Sequence, residues 1–172
     1  MPLPRMYRIR QSFDTPRLDD VAGAVRDQMS SLQLGDTVHS GQTVAITVGS
    51  RGVANVALIT REIVRHFQSL GAEPFIVPAM GSHGGATPEG QREVIATYGV
   101  TEDYVGCPIR ATMETVIVDR TPQGIPVHFD RYASEADHVF IANRIKPHTM
   151  FVGPIESGLH KMMLIGLGKH AG

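Results

Sequence analysis

Twice in the first half of the chain, a short apolar run passes straight into a glycine-rich turn and then into an amphipathic segment. Thr43–Val48 (TVAITV) leads into Gly49-Ser50-Arg51-Gly52, after which Val56, Ile59, Ile63, Val64, Phe67 and Leu70 recur at helical spacing until Gly71. Residues 73–80 (EPFIVPAM) lead into Gly81-Ser82-His83-Gly84-Gly85, and Thr87-Pro88-Glu89 then opens a second helix ending near Tyr98-Gly99. Strand, glycine turn, helix, repeated in this order, is the pattern of crossover connections in a parallel sheet. It predicts an α/β fold: a Rossmann-like, mostly parallel sheet with helices on both faces. Both glycine turns then fall at the carboxyl ends of their strands, where open α/β sheets bind ligands.

The flanking segments are less sharply patterned. Residues 6–13 read as a short edge strand. Thr15-Pro16 reads as a helix start, with Leu18, Val21, Ala22, Val25, Met29 and Leu32 as the buried stripe and Gly35 as the stop. Residues 114–118 and 125–129 read as a hairpin around Thr121-Pro122-Gln123-Gly124. Residues 138–142 (HVFIA) read as a third buried strand with a loop over 143–153, and residues 157–166 as a further helix.

A length of 172 residues suits one domain with a real core. The net charge of −1 lacks the basic excess that nucleic-acid binding requires, so no nucleic-acid partner is expected. The single cysteine, Cys107, excludes an internal disulfide framework and fits a reducing compartment. The first residues contain no apolar signal core, and no run is long enough to cross a bilayer, so a cytoplasmic chain without a membrane partner is expected. The chain stops at Lys169-His170-Ala171-Gly172, directly after an apolar stretch, which is the expectation for a fragment or excised domain. Oligomeric state is not written in any of these features.

Three loops carry candidate chemistry. The Gly49–Gly52 turn could present backbone amides and Arg51 to an anion ahead of a helix start. On spacing alone a tight strand-to-helix turn with a solvated arginine is the slightly better reading, because no complete dinucleotide or P-loop pattern is present. The second loop sets His83 between small residues, which suits proton transfer but also describes a water-facing turn. The third is IKPHTMFVGPIESGLHKMMLIGLGK, residues 145–169, in which His148 follows Pro147 and Lys161 is flanked by methionines. An amine in apolar surroundings is destabilised as a cation and becomes a better nucleophile; the bland alternative is a lysine that reaches water along its stem. Glu156 and His160 read as solvated or locally bonded, and His39, His66, His128 and His138 as ordinary surface or core groups. His83 and His148 stand apart because both follow strands at one expected sheet edge.

VPAMGSHGG and the 145–169 stretch, with the GSRG turn, resemble the LarA-type lactate racemase family of nickel-pincer nucleotide enzymes, formerly grouped as a domain of unknown function. The resemblance covers most of the chain from Val44 onward and corresponds to that family's amino-terminal domain. It implies that Lys161, in Ser157-Gly158-Leu159-His160-Lys161, is the lysine joined through a thioamide to the cofactor. It further implies that His83 and His148 are the catalytic histidines and that Ser50 and Arg51 lie at the cofactor-binding turn. The implied reaction inverts a 2-hydroxy acid. One histidine takes the hydroxyl proton while the α-hydrogen leaves as hydride to the cofactor; the flat 2-oxo acid then receives hydride on its other face.

Two positions depart from the family pattern. The family reads Asp-Arg-x-Arg at the first turn, whereas Ser50-Arg51-Gly52-Val53 stands here, so Val53 replaces the arginine that would hold the lactate carboxylate. A larger hydroxy acid is expected instead. The family's nickel-binding histidine falls beyond Gly172, and His170 comes too early to match it. Residues 1–172 are therefore expected to be an amino-terminal catalytic and cofactor-binding domain lacking its carboxyl-terminal domain, inactive in isolation. Two other readings stay open: a non-catalytic α/β module holding a nucleotide or anion at the glycine loops, and an enzyme using Lys161 as a Schiff-base amine.

Overall fold

The computed structural model describes residues 6–15, 17–49, 53–147, 150, 152–154 and 156–172. Its centre is a three-stranded parallel sheet in the order β2-β1-β5. Strand β1 is Thr43–Val48, β2 is Glu73–Pro78 and β5 is His138–Phe140. The register runs from Thr43↔Glu73 to Val48↔Pro78 on one side of β1, and from Val44↔His138 to Ile46↔Phe140 on the other. Residue alternation sends Val44, Ile46, Val48 and Ile76 to one face and Ala45, Phe75 and Val77 to the other. Both faces are covered, which explains why β1 and β2 are nearly continuous apolar runs.

The first face packs on α1 (Val21–Ser31), α2 (Val56–Ser69) and α3 (Pro88–Ala96) through Met29, Ile63, Val64, Phe67 and Ile95. The C-terminal end of α2 closes at Gly71, whose φ of +77° lets the Ala72 amide donate back to the Phe67 carbonyl at 3.1 Å. Helix α3 starts as its sequence dictates: Thr87 Oγ1 accepts the Gly90 amide at 3.1 Å and Pro88 occupies the first turn. The second face packs on the hairpin β3 (Thr115–Arg120) and β4 (Pro126–Asp130), on α5 (Arg131–Ser134) and on the C-terminal segment through Ala133, Met162 and Leu167. The hairpin is antiparallel, with an irregularity between Ile117 and Asp119, and its turn closes by Gly124 donating to the Thr121 carbonyl at 2.8 Å. A short helix α4 (Glu102–Val105), capped by Thr101, precedes a single bridge between Ile109 and Ile76 on the outer side of β2.

The α/β expectation holds, and several local ones do not. Residues 6–13 form no strand; Met6, Ile9 and Phe13 are exposed and have no neighbouring strand to pair with among the described residues. Helix α1 begins at Val21 and not after Thr15, because Asp20 supplies the stronger cap, its Oδ1 accepting the Gly23 amide at 2.7 Å. Pro16 lies outside the described residues. Only Met29 of the expected α1 stripe is fully buried. Strand β5 is three residues long and half-buried, since it pairs with β1 alone. The helix expected over 157–166 splits into an α turn, α6 (Leu159–Lys161), and a π turn, Met162–Gly166. The Leu167 amide accordingly reaches the Met162 carbonyl, five residues back, at 2.9 Å. No helix among the described residues is long and apolar enough to cross a membrane.

Candidate functional site

Because β2, β1 and β5 are parallel neighbours, the loops that follow them emerge at one edge of the sheet. At that edge the chain is tightly drawn in. Ala79 donates to the Val48 carbonyl at 2.8 Å, tying the loop after β2 to the end of β1. A Cβ at Gly49 would lie 2.9 Å from Met162 Cε and 3.8 Å from Asn143 Oδ1, so Gly49 lies against both the β5 loop and the C-terminal segment. Asn143 Nδ2 donates to the Gly158 carbonyl at 3.4 Å.

His83 sits in the loop after β2, exposed, with its amide donating to the Met80 carbonyl at 3.2 Å. The next two residues, Gly84 and Gly85, both have positive φ. At Gly84 any Cβ would lie 2.5 Å from the Gly90 carbonyl carbon, so only glycine lets the loop lie flat on the start of α3. Lys161 ends α6 and is exposed. The shielding expected for it is not found: Met162 is buried, but Met163, Leu164 and Ile165 face outward. The π turn explains this, because it rotates the apolar run away from the regular helical stripe that would have walled the amine. Ser50, Arg51 and His148 lie outside the described residues.

The desolvated lysine of this segment is Lys169, which sequence reading passed over. It is 2% exposed and adopts a left-handed backbone with φ of 57°. Its ammonium pairs with Asp130 Oδ2 at 2.9 Å and donates to Gln91 Oε1 at 3.2 Å and to the Pro78 carbonyl. Burial pulls the Lys169 amine below the ordinary lysine range, and the charge and hydrogen bond of Asp130 oppose that only in part. The other oxygen of Asp130, Oδ1, caps α5 by accepting the Ala133 amide at 2.9 Å. The signal available in the sequence was a lone lysine closing an apolar run, in GLGK, but nothing local names its partner 39 residues upstream.

A mostly apolar cavity of about 570 Å³ opens between α1, α2 and the ends of β1 and β5, lined in part by Val48, Gly49, Val53, Ile59, Asn143 and Leu159. Its size suits a small-molecule ligand. Gly49 and Val53 lie on its wall, whereas His83 and Lys161 are not among its lining residues. Among the described residues no cluster of three histidine, cysteine or carboxylate groups could hold a metal ion. Lys161 is exposed, so an electrophile can reach its amine from solvent.

A search of curated proteins finds no match to the chain. The family model for the lactate racemase N-terminal domain matches residues 9–171, and the protein belongs to that family.

Proposed function

We propose that this chain is the amino-terminal catalytic domain of an enzyme that inverts the carbon centre of a 2-hydroxy acid. The observation that carries the reading is the strand order. Three loops bearing the motif residues leave parallel neighbours β2, β1 and β5 at a single edge, with His83 on one and Lys161 at the end of another.

Inversion at a hydroxylated carbon requires proton transfer at the substrate oxygen in both directions, and imidazole is the side chain best suited to give and take a proton by turns. His83 and His148 take these roles; in the sequence they follow different strands, β2 and β5. Lys161 would hold a nickel-pincer nucleotide through its amine, with Ser50 and Arg51 as the residues that would serve the anionic part of that group. When bound, the nucleotide supplies the hydride acceptor that the protein's own side chains lack. Val53, an apolar wall residue where the lactate-specific pattern has arginine, favours a hydroxy acid larger than lactate. A carboxyl-terminal domain of the same protein covers the open edge and excludes water from it.

The test uses the full-length protein produced with the cofactor-synthesis enzymes. Intact mass and peptide mapping should show an adduct on Lys161. A panel of single-enantiomer 2-hydroxy acids in deuterated water should yield the opposite enantiomer with the carbon-bound hydrogen retained. Deuterium at that carbon would indicate proton abstraction instead of hydride transfer. An unmodified Lys161 together with no inversion would leave the anion-binding module as the better description.

A further inference from the structure

Around the loop that carries His83, the chain builds a second layer of contacts that the proposed reaction does not use. Gln91, on α3 and wholly buried, donates through Nε2 to the Gly81 carbonyl at 2.8 Å and to the His83 carbonyl at 3.3 Å. Its Oε1 accepts from Lys169 at 3.2 Å, and Lys169 also holds the carbonyl of Pro78, the last residue of β2. Asp130 pairs with the same ammonium at 2.9 Å. The Gly81 amide completes the grip by donating to the Gly166 carbonyl at 3.2 Å. One buried relay therefore holds the strand end before the loop and two carbonyls inside it.

We infer that Asp130, Lys169 and Gln91 form a positioning relay that fixes the backbone on which His83 stands. Three features argue for this over ordinary core packing. A Gln–Lys–Asp chain is an expensive filling for a core, because both ions lose their hydration and every lone pair must then find a donor. Lys169 is held in a left-handed backbone, a conformation that a non-glycine residue keeps only when its surroundings over-determine it. The relay ends on main-chain carbonyls of a glycine loop, and such a loop has no side-chain packing of its own to keep it in one place. The contribution of the relay is to hold the imidazole within the small tolerance that proton transfer allows. The assignment rests on the catalytic reading of His83 only for its effect on rate; the pinning itself is independent of that reading.

The experiment is amide hydrogen exchange of the full-length protein combined with steady-state kinetics. Gln91→Met keeps the volume and removes both donors to the loop. It should speed exchange across residues 79–87 at least about tenfold and lower kcat about 10- to 100-fold, with KM changed less than about threefold. The same loop should respond to the Lys169→Met/Asp130→Asn double variant. Gln68→Met, which removes a comparable glutamine donor to the exposed Gly106 carbonyl, should do neither. If Gln91→Met does not fold, the unmutated protein decides: Gly81 and His83 amides exchanging at the unprotected rate would overturn the relay, and strong protection would support it. Unchanged exchange over 79–87 in Gln91→Met would likewise overturn it, even in an active enzyme. Faster exchange in a protein that inverts no hydroxy acid would uphold the relay and overturn the catalytic reading instead.

Discussion

Lys169 and Asp130 form an ion pair 2.9 Å long in which neither side chain touches solvent. Such pairs are asymmetric in their energetics. Breaking one strands a bare charge in the core, whereas replacing both partners removes the charges together. Asp130→Asn or Lys169→Met alone should therefore lower unfolding stability by about 3–5 kcal/mol in denaturant titrations. The double variant, which keeps an amide able to cap α5, should lose clearly less than the sum of the two. Strict additivity would show that the pair is energetically uncoupled.

Glu62 on α2 is buried at 3% exposure beneath Arg26, Arg61 and Arg65, at 3.1, 3.4 and 3.0 Å. Burial alone would raise its carboxyl pKa, but the Arg26 hydrogen bond, the Arg65 charge and the remaining arginine contacts outweigh it and leave the group below the ordinary glutamate value of 4.5. A folded-state pKa lowered in this way contributes stability that is present above the unfolded value and lost as pH falls through the folded one. Thermal unfolding followed from neutral pH into acid should thus show a decline below about pH 4.5 that is shallower in Glu62→Gln. That variant should also be less stable at pH 7 by about 1.5–3 kcal/mol.

Cys107 is buried, and its thiol is pushed up to about 11, first by burial and then by the Glu102 charge, with the Ile76 backbone hydrogen bond opposing both. At pH 8 only about a thousandth of it is thiolate. A disulfide-exchange reagent should leave the native protein unlabelled over minutes and react with one thiol per chain once guanidinium is added. Rapid native labelling would mean that the segment bridging Ile109 to β2 opens readily.

If the two histidines carry the protons, His83→Asn and His148→Asn should each lower kcat for both enantiomers by about 10²- to 10⁴-fold while leaving the Lys161 adduct intact by mass. Lys161→Arg should abolish the adduct. A histidine variant with full activity would remove that residue from the mechanism.

The two strand–glycine–helix repeats were legible in the sequence because each level agreed: apolar runs, turn residues and caps all pointed to the same elements. Thr87-Pro88 and Gly71 ended up where their chemistry places them. The segment 6–13 misled because alternation alone describes a strand without supplying its partner. The helix near 157–166 misled because helical spacing does not distinguish an α turn from a π turn. The candidate site is legible only as far as its motifs go, for a related reason. His83 and Lys161 lie in local motifs, whereas Gln91, Asp130 and Lys169 acquire meaning only through contacts between distant parts of the chain.

That distance orders events during synthesis. Gln91 must wait for Lys169, 78 residues later, before its side chain has a donor to answer. While the chain is still on the ribosome, β1, β2 and α3 can assemble and Gln91 can reach the turn bearing the imidazole, but the holds from Gly166 and Lys169 are absent until residues 166–169 have emerged and folded back against it. Ribosome-stalled chains in which Lys169 is still inside the exit tunnel should accordingly be cut by protease at that turn more readily than chains long enough to have exposed it.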